Sequence, residues 1–107
     1  MRHIITLNEY AIKNKVYIIR GLSVMMDRDL ANLYGIDKRR LVEKVKKNIT
    51  IFPSDFMFQL TKEELENWKS KFTTSNQEFI RLRKMPYVFT AKGISMLNVV
   101  LKKKLFI

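Results

Sequence analysis

The sequence has no cysteine, so it offers no disulfide framework, no thiolate nucleophile and no cysteine zinc site. That fits a reducing compartment. It has one histidine, His3, beside the chain start. A Ser-His-Asp relay or a histidine-rich metal centre would have to rest on that single ring. The three glycines, Gly21, Gly35 and Gly93, stand far apart and form neither phosphate-cradling glycine pattern. With only two prolines there is no proline-rich linker. Apolar runs are short: Val16-Tyr17-Ile18-Ile19 is far below the roughly 20 residues that span a bilayer. The start of the chain lacks the apolar stretch of a secretory signal. These absences predict a cytoplasmic protein that is not an enzyme: no catalytic residues, no cofactor, no metal, no membrane and no small-molecule substrate. The carboxylate clusters Asp27/Asp29 and Glu63/Glu64/Glu66 sit at predicted helix starts, where capping and the helix dipole account for them.

What is present is positive charge. The chain has 107 residues, the size of one domain, with ordinary globular composition at 47% hydrophobic and 29% charged. Its 21 basic and 10 acidic side chains give a net +11, which points to a polyanionic partner. The charge is uneven. Residues 81–107 hold seven basic side chains and no acidic one, whereas residues 54–80 hold three against five.

The residue pattern predicts an α+β domain over 16–107 after an N-terminal extension, 1–15. Val16 to Arg20 and Ser23 to Met26 read as strands joined at Gly21-Leu22. Asp27 is placed to cap a helix running to Tyr34, which Gly35 stops in the left-handed conformation. Ile36 follows as a plug, and Asp37 caps a second helix from Lys38 to about Asn48. Phe52-Pro53 breaks the chain, and Phe56 to Leu60 reads as a third strand. Thr61 to Glu64 is a capping box opening a helix with Leu65, Trp68 and Phe72 inward. Thr73 to Gln77 reads as a loop, which Arg81 to Lys84 continue or turn into a hairpin limb. Pro86 predicts that Tyr87 to Phe89 form an edge strand. Thr90 caps a last helix with Ile94, Leu97, Val100 and Leu101 inside and Lys102-Lys103-Lys104 at its negative end.

The helix 38–48 separates its residues by face. At 100° per residue, Leu41, Val42, Val45 and Ile49 share an arc of about 100°. Arg39, Arg40, Glu43, Lys44, Lys46 and Lys47 fall opposite, with Lys38 at the helix start. Acidic partners at the i,i+4 spacing are nearly absent, so this is not a self-paired lattice of charges. A short helix, a tight glycine turn and a basic second helix form a helix-turn-helix pattern, in which the second helix enters the major groove.

These residues carry a family resemblance. The run VYIIRGLSVMMDRDLANLYGIDKRRLVEKVKKNITIFPSDFMFQLTKEE and the block MPYVFTAKGISML resemble the phage KilA-N superfamily, in its Orf-six N-terminal branch. Together they cover about Val16 to Leu101. The family is similar to fungal APSES-type DNA-binding domains, and it opens phage and bacterial proteins that are often regulators or antirepressor-like. The resemblance implies a helix-turn-helix domain with small β-hairpin or wing elements that binds double-stranded DNA in transcription regulation, with a further C-terminal effector domain often present and absent from this chain. The sequence departs from the pattern at Phe79 to Leu82, where relatives carry glycines, and at Ala91, where they tend to have Glu.

The candidate DNA-binding residues follow. Arg39, Arg40 and Glu43 are placed for base edges, since Arg suits guanine and Glu accepts from cytosine. Lys44, Lys46 and Lys47 would neutralise phosphate, as would Arg83 and Lys84, and Lys38 joins the DNA-binding set at the helix start. Arg81, Arg83 and Lys84 form a second cluster that would act as a wing. A homodimer would suit two half-sites, although no heptad supports one. The competing expectation is a protein-interaction module, an antirepressor-like domain with its basic face on an acidic partner. RNA binding is disfavoured by the lack of an aromatic-bearing strand motif.

Overall fold

The structure is a computed structural model that describes residues 15–70 and 85–103. The expected extension up to residue 14, Phe72, the loop Thr73 to Gln77, the cluster Arg81, Arg83 and Lys84, and Lys104 lie outside the described residues.

The chain opens with a hairpin of β1 (Val16–Ile19) and β2 (Leu22–Met26), closed by the pair Ile19 and Leu22. The turn is Arg20-Gly21, one residue earlier than the pattern suggests. Both residues have positive φ, 56° and 74°, because a two-residue turn follows the strands' right-handed twist only in that region. Helices α1 (Asp27–Tyr34) and α2 (Lys38–Lys47) follow. A 3-10 turn at Ile49–Ile51 leads to β3 (Met57–Gln59) and α3 (Lys62–Ser70). The described chain then resumes before β4 (Tyr87–Phe89) and ends in α4 (Ala91–Leu101). The predicted α+β class holds.

The four strands form one antiparallel sheet in the order β1-β2-β4-β3. This corrects the edge-strand expectation for Tyr87–Phe89: β4 lies in the middle. Pro86 stands one residue outside the ladder, so its missing N–H removes no strand bond, and its carbonyl accepts from the Leu60 N–H at 2.9 Å.

Period-two alternation sends the strands into two cores. Met25, Phe89 and Met57 are cross-strand neighbours on one face and meet Leu30, Ala31, Tyr34, Leu41, Val45, Ile94 and Leu97 of α1, α2 and α4. Val24, Met26, Val88 and Phe58 face the other way and meet Leu65 of α3. Burial of the sheet's middle on both faces explains the apolar runs Val24-Met25-Met26 and Val88-Phe89. Phe52, whose ring meets Phe89 edge-on at 6.1 Å, anchors the break before Pro53.

Helix ends show which local signals hold. Gly35 has φ 73°, and the N–H groups of Gly35 and Ile36 bond to Asn32 O and Ala31 O, the double bond of a left-handed helix stop. The capping box is present: Thr61 Oγ1 accepts from Glu64 N–H at 3.0 Å and Glu64 Oε1 from Thr61 N–H at 2.9 Å. Thr90 Oγ1 accepts from Gly93 N–H, as expected, and donates to Asp55 O. Gly93 lies so close to the Phe56 carbonyl that a Cβ there would collide with its oxygen.

Four expectations need correcting. Asp27 does not cap α1; it is the first helical residue, and its carboxylate accepts from its neighbour Arg28 and from β4. Asp37 occupies the cap position of α2 but makes no side-chain cap bond. Ile49 is half exposed, because α2 ends at Lys47 and the 3-10 turn rotates it away from the Leu41–Val45 stripe. Lys103 does not serve its own helix end; its Nζ donates to Tyr34 O at the C-terminal end of α1.

Candidate nucleic-acid interface

The site is built on α2. Leu41 and Val45 are buried and Val42 is half-buried, so three side chains on one stripe seat the helix against α1 and α4. The left-handed turn at Gly35 fixes where the helix begins, and Asn48 closes it by donating from Nδ2 to Lys44 O at 2.8 Å.

Lys38, Arg39, Arg40, Glu43, Lys44, Lys46 and Lys47 are all exposed, as expected. The described residues give the six cations no ion pair, whereas elsewhere Lys15 pairs with Asp29, Arg20 with Glu64 and Lys92 with Asp55. The helix presents six cations against one exposed carboxylate of its own, Glu43.

That charge divides into two flanks. Lys38, Arg39, Glu43 and Lys46, with Val42 beneath, line a cleft of about 370 Å3 whose other wall is Gln59, Met85 and Tyr87. Arg40, Lys44 and Lys47 line no part of that cleft and fall on the outer side of the helix wheel, about 40–100° beyond Glu43. The structure thus brings together only part of the expected set with the sheet, and Arg81, Arg83 and Lys84 fall outside what it describes.

Asp27 lines the same cleft and is 3% exposed. Burial pushes its carboxyl above the usual carboxylate range. The N–H bonds from Tyr87 at 3.1 Å and Arg28 at 2.7 Å and the nearby charge of Lys38 pull the other way. This residue ties α1 to β4 and places a negative charge behind the first cation of α2.

A family model described as the ORF6N domain matches residues 14–100. The chain belongs to the ORF6N domain family. The match spans every described element up to the last turn of α4, so the α2 face and the cleft are parts of the ORF6N domain itself. No curated protein and no solved structure matches the chain. Among the described residues of this ORF6N domain, no helix is long and apolar enough to cross a membrane, and no group of three or more His, Cys, Asp or Glu could hold a metal ion.

Gln59, Tyr87 and Asp27 were not among the residues that the sequence singles out for the site. Gln59 carries a faint signal, since it is the exposed polar residue ending a strand whose Met57 and Phe58 are buried. Asp27 reads as a cap and Tyr87 as a strand residue, and only the tertiary packing reveals that they line a cleft with α2.

Proposed function

We propose that this ORF6N domain binds double-stranded DNA as a module of a phage-type regulatory protein, with α2 lying in the major groove. One observation carries the reading: six exposed cations on a single seated helix, without ion partners among the described residues. Like charges so close together repel, and a polyanion relieves that repulsion. Arg39, Arg40 and Glu43, within the first six residues of α2, are the candidates for base edges. Lys38, Lys44, Lys46 and Lys47 are the candidates for phosphate.

The test is a binding titration with duplex DNA over a range of salt. Four phosphate contacts give a slope of log K against log salt of about −3.6, at roughly −0.9 per contact. Salt-independent binding, or none at low salt, would overturn the reading. Capture of an acidic protein by a chain that ignores duplex DNA would favour an antirepressor-like role instead.

A further inference from the structure

The cleft beside α2 sorts its charges by depth. Asp27 sits within it, 3% exposed, while Lys38, Arg39 and Lys46 are exposed around it. Tyr87, half-buried, and Gln59, exposed, make the sheet side. Glu43 adds one acid on the helix side. A bare phosphate suits the three cations but meets a carboxylate inside. A simple cation suits the carboxylate but meets three like charges on the way. A ligand that answers both signs carries N–H donors at one end and an anion at the other.

Asp27 has acceptor capacity to spare. A carboxylate offers about four lone-pair sites on its two oxygens. Oδ1 accepts from Arg28 N–H and Oδ2 from Tyr87 N–H, one bond to each oxygen. Two adjacent acceptors fit two adjacent N–H donors. Guanine presents such a pair, its ring N1–H beside the 2-amino group. Thymine presents one N–H between two carbonyls, which a carboxylate repels. Tyr87, which lines the cleft, brings an aromatic ring, the side-chain type on which bases stack. The volume, about 370 Å3, falls in the roughly 300–1,000 Å3 range of small-ligand clefts.

We propose that this cleft binds a guanine nucleotide unit, with the base inward against Asp27 and Tyr87 and the phosphate outward against Lys38, Arg39 and Lys46. The site shares three cations with the duplex-binding reading but does not rest on it. Two sources supply the same chemistry: a free guanine mononucleotide, or a guanine nucleotide turned out of a DNA strand.

The full chain is titrated with dGMP, dTMP and inorganic phosphate, followed by calorimetry and by the amide NMR signals of Gln59 and Tyr87. The expected result is saturable dGMP binding that moves both signals, about tenfold tighter than dTMP or phosphate, as befits a buried acceptor left unpaired by the wrong base. Asp27→Asn replaces one acceptor oxygen by an N–H donor and removes the negative charge that a phosphate meets in the cleft, so it is expected to erase that preference while phosphate itself binds more tightly than to the native chain. Lys46→Ala, on an exposed position, is expected to weaken dGMP and phosphate together. Equal affinity for dGMP, dTMP and phosphate in the native chain overturns the proposal, as does a failure of dGMP to saturate in the millimolar range. Neither outcome depends on how the variants fold. A duplex with one unpaired guanine separates the sources: binding tighter than the paired duplex assigns the site to an extruded nucleotide, and equal binding with dGMP recognition intact assigns it to the free one. Mononucleotide binding is measured without duplex, so its failure leaves the duplex reading standing.

Discussion

Arg20 and Glu64, 44 residues apart in sequence, form a two-pronged ion pair that ties the β1–β2 turn to the start of α3. Nε donates to Oε2 at 2.7 Å and Nη2 to Oε1 at 2.9 Å. The same guanidinium lies 4.1 Å from the centre of the Phe58 ring. The same carboxylate closes the capping box with Thr61. Arg20 takes a positive φ that costs a non-glycine residue roughly 1–2 kcal/mol, and these contacts offset the cost.

The clamp predicts acid sensitivity. The Arg20 hydrogen bonds, aided by Thr61, hold the Glu64 carboxyl down to about 2. A depressed carboxylate stabilises the fold above its unfolded pKa, and that contribution is lost as pH falls from about 4.5 towards 2. Thermal melts at pH 6, 4.5 and 2.5 should show the midpoint falling across the last step, and Glu64→Gln should fall less. Asp27 works in the opposite sense, since its raised carboxyl favours the fold on the acid side. A double-mutant cycle of Arg20→Ala with Glu64→Gln should give a coupling of about 1 kcal/mol, the upper end for a solvent-exposed pair.

Two glycines should fail for different reasons. Gly93→Ala drives a methyl into the Phe56 carbonyl, so α4 must shift from the sheet, and a loss of about 3 kcal/mol or more is expected by urea unfolding. Gly35→Ala meets nothing within 4 Å, and its cost is the left-handed backbone alone, about 1–2 kcal/mol. Gly35→Asn should recover part of it, because Asn tolerates that conformation. Equal losses for Gly93→Ala and Gly35→Ala would contradict the tight contact.

Leu41 is fully buried beneath α2. Leu41→Ala should cost about 2–5 kcal/mol in unfolding free energy, whereas truncating exposed Lys44 should cost less than about 0.5 kcal/mol. If DNA binding is then measured at a temperature where both variants are folded, Lys44→Ala should be the weaker binder relative to its stability.

Base reading and phosphate contact separate by sequence dependence. Arg40→Ala should lose about 1–3 kcal/mol on a selected site and little on scrambled duplex. Lys47→Ala should weaken both equally and reduce the salt slope by about 1. Uniform losses for Arg40→Ala would remove it from the readout.

Much of the fold is legible in the residues because the signals are local. Gly35, the Thr61–Glu64 box, Thr90 and the apolar stripe of α2 each act within a turn of the chain, and each is found in the structure. What escapes the sequence is pairing across distance. Pro86 signals an edge only if the ladder includes its N–H, and the register that leaves it just outside is set by β2 and β3 together. Asp27 has the chemistry of a cap, but burial turns its carboxylate towards β4. Of the candidate site, the exposed cations of α2 are readable from a helical wheel. The cleft is not, because its far wall comes from strands placed by tertiary packing.

The middle position of β4 sets a timetable for synthesis. Neighbouring strands β2 and β3 are synthesised before residues 87–89 exist, and neither pairs with the other. Until that late strand slides between them, each exposes a row of unsatisfied amides beside apolar side chains, the state most prone to sticking to another nascent copy. A chain cut before Tyr87 should therefore be recovered as aggregate rather than as a smaller folded unit.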